Sequence, residues 1–362
     1  MGDSKPVLED LSPRRLRRRL LQFAGVGVIV AFLVLAGPGL GALRNRLSHA
    51  SGPWVLLGVL LELLSALSYV VIFRAVFCPR MSWRLSYEIG MAEQGANSVL
   101  SVSGAGGLAL GAWALRRGGM STERIGRRTV AFFILTSLAN VGGVILFAAL
   151  YAVGLLGHDP SPALTYGFGA GALVATAIVL GLPRLLSGEP SHNAANPASG
   201  KLAAALHFVR HSLGRGIDDA LLLLRKRSPG VLTGSIGTVA FDLAVLGVCF
   251  RAFGASPPLG VLVLAYLIGQ LGGNVPIPGG IGGLDGGLIG TFVLYHQPLA
   301  ATAAAVLVYH AISLWIPALL GSAAFVQLRN TLLRVAEPAA ICKPLVEPID
   351  PAGLAAAASG SG

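Results

Sequence analysis

Apolar runs long enough to cross a bilayer as helices constrain this chain more than any other feature. A transmembrane helix needs about 20 consecutive apolar residues, and six runs approach or exceed that length, near residues 20–42, 54–77, 129–156, 164–182, 231–252 and 299–328. Only 12% of the residues are charged, about half the fraction usual in soluble domains. The sequence therefore predicts an all-α, polytopic membrane bundle with about six spanning helices, in a membrane domain at residues 20–330.

Two further apolar stretches, near residues 86–114 and 259–296, are interrupted by glycines. If each were an ordinary span, the five arginines between residues 116 and 128 would lie outside, against the positive-inside tendency. Treating each stretch as a re-entrant helical hairpin places 24 of the 27 Lys and Arg residues on the cytoplasmic side. We therefore expect a multi-pass protein of the bacterial inner (cytoplasmic) membrane, with two inverted re-entrant hairpins and both termini in the cytoplasm.

Three segments outside the spans complete the predicted organisation. Residues 1–19 form a basic cytoplasmic N-terminus, and residues 331–362 form a flexible C-terminal tail. The cytoplasmic segment 183–230 contains a linker rich in Ser, Asn, Pro and Gly, followed by an amphipathic helix with many Lys and Arg residues. That helix either lies on the anionic inner leaflet or packs on the bundle as a connector.

An internal repeat appears when the chain is shifted against itself by 176 positions. Residues 94–111 then align with 270–287, and seven of the 18 positions are identical, among them Gln94 and Gln270. The predicted topology makes the two copies inverted, because one hairpin enters from inside and the other from outside. Inverted repeats with broken helices are a recurring plan of secondary transporters, whose substrate site lies at the repeat interface.

Each copy contains a break, at residues 103–107 and 276–283, that is rich in glycine. Broken backbone persists at membrane depth only against protein or a polar cavity, and the helix after a break begins with free N–H groups that suit an anionic headgroup. Alternatively, the glycines serve close helix packing. The predicted substrate-binding residues are Gln94, Asn97, Gly104, Gly106, Gly107, Gln270, Asn274, Pro276, Pro278, Gly279, Gly280, Gly282, Gly283 and Asp285. For the four amide side chains, headgroup contact and capping of freed backbone groups are equal alternatives.

Ionisable side chains within the apolar spans are the candidate coupling or cavity residues: Glu62, Glu93, Asp242, Arg251 and His310. A charge at the bilayer centre costs about 2.5–3.5 kcal/mol on insertion scales, so these side chains should face the interior. Glu62 and Asp242 precede the two hairpins by similar distances and would pair with a cation, a proton or Arg251. The alternative is a neutral or hydrogen-bonded buried carboxyl group.

The second break, from Pro276 to Asp285, is similar to a motif of the flippase-like family that includes the transmembrane region of lysylphosphatidylglycerol synthases. The run from Gly104 to Gly107 resembles an earlier glycine motif of that family, and the resemblance covers roughly residues 15–330. Family members often carry Arg-Glu where this chain has Leu284-Asp285, so the acidic group is retained and the neighbouring cation is missing. The resemblance implies lipid translocation rather than lipid synthesis, since no segment of the chain would house an aminoacyl-transfer domain.

The sequence thus predicts a lipid flippase that moves an anionic phospholipid or polyprenyl-phosphate lipid between the two hairpins. The alternatives are a small-solute secondary transporter and a non-catalytic membrane partner of a lipid or cell-envelope pathway. Nucleophile or metal motifs such as HExxH, CxxC and GxSxG do not occur, so we expect neither an enzyme nor a cofactor or metal site. The net charge of +11 follows from topology rather than from nucleic-acid binding, and the expected partners are membrane lipids.

Overall fold

All regular secondary structure in the described part of the chain is helical. The computed structural model describes residues 50–100, 105–186, 201–271 and 283–334. In chain order the helices are α1 Gly52–Phe77, α2 Trp83–Leu100, α3 Ala105–Arg117, α4 Thr122–Ala152, α5 Pro162–Leu186, α6 Lys201–Arg225, α7 Pro229–Ala252, α8 Leu259–Gly269, α9 Gly283–Leu294 and α10 Leu299–Arg334.

Five of these helices, α1, α4, α5, α7 and α10, are long and apolar enough to cross a membrane. They correspond to five of the six predicted spans, so the all-α polytopic membrane bundle is confirmed. The predicted span at 20–42, the N-terminus at 1–19 and the linker at 187–200 lie outside the described residues. At the other end α10 continues to Arg334, past the predicted start of the tail at residue 331.

The internal repeat extends over four helices in each half. Helices α7, α8, α9 and α10 begin 176 to 178 positions after α1, α2, α3 and α4, respectively. Both α1 and α7 also begin in the same way, with a serine at the N-cap and a proline in the first turn. Proline is suited to that place because the first backbone N–H groups of a helix have no partner within it. In the sequence, helices α5 and α6 lie between the two halves.

The central pair of the bundle, α1 and α7, is antiparallel along its whole length. The amide of Ser51 donates to the carbonyl of Ala252 (3.0 Å), and in the middle the Ser65 hydroxyl donates to the carbonyl of Thr238 (3.1 Å). Since α1 and α7 are equivalent helices of the repeat and run in opposite directions, the two halves are inverted, as predicted.

Helices α2 and α3 form one antiparallel hairpin, hairpin 1, and α8 and α9 form the other, hairpin 2. Gly111 lies against Glu93 in hairpin 1, and Gly269 lies against Leu288 in hairpin 2. Helices α8 and α9 have 11 and 12 residues, about 17 and 18 Å at 1.5 Å per residue. The hydrocarbon core is about 30 Å thick, so neither described helix of hairpin 2 is long enough to cross it.

The hairpins open at opposite ends of the bundle, because hairpin 1 follows the end of α1 and hairpin 2 follows the end of α7. We call these the hairpin-1 end and the hairpin-2 end. The last helix of each half packs against the hairpin of the other half, α10 on α2 and α4 on α8. Gly95 of α2 meets Gly321 of α10, and Gly143 of α4 meets Leu267 of α8. The two halves are therefore interlocked rather than side by side.

Helix α6 packs on the first half of α4, at the hairpin-1 end. The Asp219 carboxylate of α6 lies 2.8 Å from Nε of Arg127 and 3.6 Å from Nε of Arg128, and Gly216 allows α6 to approach Val130 closely. Helix α6 therefore packs on the bundle, and its contact with the inner leaflet stays a prediction. Basic residues crowd this end, whereas Arg251 is the single Lys or Arg among the described residues of the hairpin-2 end.

Candidate functional site

Inside hairpin 1, Asn97 caps the helix that follows the first break. Its side-chain oxygen accepts a 2.9 Å hydrogen bond from the amide of Gly107, one of the N-terminal amides of α3 that lack a partner within the helix. A Cβ atom on Gly107 would overlap the Asn97 side chain. For these two predicted residues the structure thus favours capping and close packing over headgroup contact.

Two more predicted residues tie α2 to the central helix α1. The Glu93 carboxylate is buried, with only 4% of the residue exposed, and it accepts a hydrogen bond from the Tyr69 hydroxyl of α1. The Gln94 side chain donates to the carbonyl of Ala66, also on α1 (3.3 Å). These bonds satisfy polar groups that would be costly to leave unpaired in an apolar surrounding, and they fix hairpin 1 on α1.

In the second half a partly buried carboxylate, that of Asp242 on α7, connects hairpin 2 to α10. One of its oxygens accepts hydrogen bonds from Tyr266 of α8 and, at 2.9 Å, from Tyr309 of α10. Gln270, the repeat partner of Gln94, donates to the Tyr309 hydroxyl (3.3 Å). The arrangement is reciprocal to that in hairpin 1, since here the acid is on the central helix and a tyrosine is on the hairpin.

Glu62 of α1 lies level with Asp242 of α7, because the Ser51–Ala252 and Ser65–Thr238 hydrogen bonds set the register of the two antiparallel helices. The two carboxylates interact electrostatically. Glu62 is 4% exposed, and its Oε2 is buried without a hydrogen-bond partner in the described part of the chain. Both acids lie near the middle of their helices, Glu62 at the eleventh of 26 residues and Asp242 at the fourteenth of 24. The two acids thus lie near the centre of the bundle.

A second polar pair lies immediately after the second break. Asp285 is in the first turn of α9, and its Oδ1 is 2.8 Å from Nδ1 of His310 on α10. Both side chains are largely buried, the contact is an ion pair by distance, and neither ring nitrogen of His310 has a hydrogen-bond partner among the described residues. From the sequence, Asp285 was predicted to bind substrate and His310 to be a coupling or cavity residue, whereas the structure places them in contact.

The predicted pairing of Arg251 with Glu62 or Asp242 does not occur in the structure. Arg251 is exposed, and its guanidinium lies over the ring of Trp54, 5.5 Å from the ring centroid. Trp54 precedes Glu62 by eight residues on α1, about 12 Å along the helix at 1.5 Å per residue. The reason is geometric, because antiparallel packing puts the end of α7 beside the start of α1.

The remaining predicted residues border the breaks themselves. Gly106 and Gly283 lie in the first turns of α3 and α9. Gly104, Asn274, Pro276, Pro278, Gly279, Gly280 and Gly282 lie outside the described residues. No group of three or more side chains that could hold a metal ion occurs among the described residues.

Sequence reasoning missed the three tyrosines that bond to the acids, Tyr69, Tyr266 and Tyr309. A usable signal was present, because the chain has only seven tyrosines and these three lie within apolar helices. A buried tyrosine hydroxyl usually finds a hydrogen-bond partner. Tyrosines in apolar helices that also contain, or pack against, an acid were therefore reasonable candidates for partners.

The same hairpins and spans fall within a region that matches a known family. Residues 20–321 match the family described as the lysylphosphatidylglycerol synthase TM region. The chain belongs to this family. The match includes both hairpins and both halves of the repeat, which confirms the resemblance carried by the two glycine motifs.

A curated relative of the chain is a UPF0104 membrane protein from Methanothermobacter thermautotrophicus. It is 43% identical over 61 residues, a stretch that covers 17% of this chain and 17% of the relative. The family match identifies a membrane protein of the lysylphosphatidylglycerol synthase TM type, which fits a role connected with membrane lipids, and the relative is likewise named a membrane protein.

Proposed function

We propose that the protein is a lipid translocase that moves an anionic lipid, of the phospholipid or polyprenyl-phosphate type, across the cytoplasmic membrane. The observation that carries this proposal is the pair of inverted hairpins, which open at opposite ends of the bundle. Broken helices at the interface of inverted repeats form the substrate site in many secondary transporters. The headgroup would pass between the hairpins while the acyl or prenyl tails stay in the bilayer.

The pair of Asp285 and His310 supplies chemistry that suits an anionic headgroup. When protonated, His310 forms an ion pair with Asp285, whose Oδ1 is 2.8 Å from Nδ1, and its Nε2–H group can donate to a phosphate oxygen. The start of α9 adds the positive end of the helix dipole. In this proposal His310 takes the place of the basic residue that other family members often carry at the position of Leu284.

The crowded basic residues at the hairpin-1 end support the same proposal. Lys and Arg residues near the surface attract anionic lipids by about 1 kcal/mol each, so this end would concentrate the substrate. The exposed arginines of hairpin 1, Arg116 and Arg117 at the end of α3, lie at its mouth. We therefore propose that the hairpin-1 end is cytoplasmic and collects the lipid there.

The proposal is tested with purified protein in vesicles that contain fluorescent phosphatidylglycerol or a labelled polyprenyl phosphate. A membrane-impermeant quencher reports how fast the label moves between leaflets. We expect movement well above that of protein-free vesicles and a loss of about tenfold or more in His310→Gln. The matched control is His158→Gln, because His158 is exposed in the loop after α4.

Folded protein that moves neither lipid would contradict the translocase proposal. If such protein instead takes up a soluble solute, the small-solute transporter replaces it. If both histidine variants slow lipid movement equally, the Asp285–His310 pair has no specific role in translocation.

A further inference from the structure

Glu62 is buried and Asp242 is partly buried, and the two acids lie level with each other on the packed helices α1 and α7. Like charges at short range repel, and the protein interior screens them weakly. No Lys or Arg within the described ranges forms an ion pair with either acid. The interface between the two halves therefore needs a positive partner that these helices do not supply.

The hydrogen bonds around the pair distinguish its two members. Asp242 accepts from two tyrosine hydroxyls, Tyr266 and Tyr309, and such bonds stabilise the charged form of a carboxylate. Glu62 has no comparable donors, and its Oε2 is buried without a hydrogen-bond partner in the described structure. A proton on Glu62 would give that oxygen an O–H group and remove one of the two negative charges.

We propose that Glu62 and Asp242 hold one proton between them, carried on Glu62, and that this proton is the ion coupled to lipid movement. The coupling part rests on the proposed translocase function. Water on one side of the membrane gives the proton to the Glu62 carboxylate. After the halves move relative to each other, the resulting carboxylic acid returns the proton to water on the other side, and no other bond changes.

The position of the pair makes this coupling mechanically reasonable. Glu62 is on α1 and Asp242 on α7, the equivalent helices of the two inverted halves. Alternating access in such folds moves one repeat against the other around a site at their interface. Any such movement changes the separation of the two carboxylates, and with it the affinity of the pair for a proton.

The other titratable groups near the pair do not supply the missing positive charge. Tyr266 and Tyr309 donate hydrogen bonds to Asp242, and Cys249 is a buried thiol on α7. His310 of α10 is held beside Asp285 of α9. Glu93 of α2 bonds to Tyr69, and the sequence of α4 between residues 129 and 150 contains no titratable side chain.

The first experiment measures proton binding without any transport. Infrared difference spectra of the protein in lipid nanodiscs, taken while the pH is varied, report the C=O stretch of a buried carboxylic acid. We expect this band in the wild type and in Glu62→Asp, and its loss in Glu62→Gln. The matched control is Glu123→Gln, because Glu123 is an exposed glutamate at the start of α4 and should leave the band unchanged.

The second experiment measures coupling in vesicles that contain a pH-sensitive dye and labelled phosphatidylglycerol. An imposed pH gradient should change the rate of lipid movement by about fivefold or more, and Glu62→Gln should abolish that dependence. Glu62→Asp serves if Glu62→Gln does not fold, since it keeps the carboxyl group and should shift the pH dependence rather than remove it. Dependence on a sodium gradient instead of a pH gradient would overturn the proposal.

The two experiments separate this inference from the proposed function. An unchanged carboxylic acid band in Glu62→Gln overturns proton binding at the pair, even if lipid moves. Loss of the band in a protein that moves no lipid supports the proton site and overturns its coupling to lipid, together with the translocase proposal. If the rate of lipid movement is the same with and without a pH gradient, the coupling is overturned and the translocase proposal stands.

Discussion

The amide of Ser51 donates a 3.0 Å hydrogen bond to the carbonyl of Ala252, which ties the start of α1 to the end of α7. These two helices are equivalent in the repeat, so this one contact places equivalent helices in opposite directions. It also fixes which loops share a face of the membrane. The loop before α8 lies at the same face as the start of α1, and the loop after α1 lies at the opposite face.

We predict that Ser256 and Lys226 are accessible from opposite sides of the membrane. Both are exposed, Ser256 in the loop between α7 and α8 and Lys226 after α6. Since basic residues crowd the hairpin-1 end, the positive-inside tendency places Lys226 in the cytoplasm. In a variant without native cysteines, an impermeant maleimide should label Ser256→Cys in intact cells and Lys226→Cys only after permeabilisation.

Labelling of both cysteines from outside would contradict the two-sided arrangement of the hairpins. Labelling of Lys226→Cys alone in intact cells would support the two-sided arrangement and show that the protein has the opposite orientation in the membrane. A label on neither residue in permeabilised cells would indicate that one of these loops is covered by another part of the protein.

The hairpins were predictable because the positions of the arginines and of the glycine-rich breaks both indicate them. The arginines between residues 116 and 128 make an ordinary span at 86–114 unfavourable, and the breaks recur at a fixed spacing of 176 positions. Both signals are read directly from the sequence and need no knowledge of how the helices face each other. The structure confirms the inverted repeat and extends it from 18 aligned positions to four helices in each half.

The partners of the candidate site residues were not predictable in the same way. Almost every residue of α1 is apolar, so hydropathy does not say which face of the helix points inward. The pairing of Glu93 with Tyr69, or of Asp285 with His310, depends on helix rotation and on which arm packs against which span. For Arg251, which was one of three possible partners of the acids, the sequence likewise does not show that its neighbour is Trp54.

We predict that Gly95→Ala weakens the contact between the two halves. A Cβ atom at residue 95 would lie 2.7 Å from Cα of Gly321 and 3.1 Å from the carbonyl oxygen of Pro317. Because these are backbone atoms, they cannot turn aside as a flexible side chain would. Overpacking of this kind costs about 1–3 kcal/mol, and unfolding of the purified protein in mixed micelles should show a loss of that size.

The matched control is Gly171→Ala on α5, where a Cβ atom would meet nothing within 4 Å. Alanine is the better helix former by up to about 1 kcal/mol, so this variant should be as stable as the wild type or more so. Equal stability of Gly95→Ala and Gly171→Ala would show that α2 and α10 do not approach this closely.

We predict that Asn97→Ala destabilises the start of α3 locally. The substitution removes the acceptor of the Gly107 amide, and loss of a capping side chain costs about 0.5–2 kcal/mol. Hydrogen exchange followed by mass spectrometry should show faster exchange in the first turn of α3 and little change in α7. Asn97→Asp should retain the protection, because its carboxylate oxygen can accept the same bond, whereas equally fast exchange in both variants would contradict the capping role.

We predict that Asp219→Asn loosens α6 from α4. The Asp219 carboxylate interacts with Arg127 and Arg128, and all three side chains are at least 72% buried, so these ion pairs are screened less than fully exposed ones. Loss of the charge should reduce the stability of the contact by about 1 kcal/mol, the upper range for exposed pairs. Faster hydrogen exchange within residues 212–225 should report it. Asp218→Asn is the matched control, since the neighbouring Asp218 is exposed, and similar exchange in both variants would show that α6 is held by apolar contacts, such as those of Ile217 and Ala220, instead of by charge.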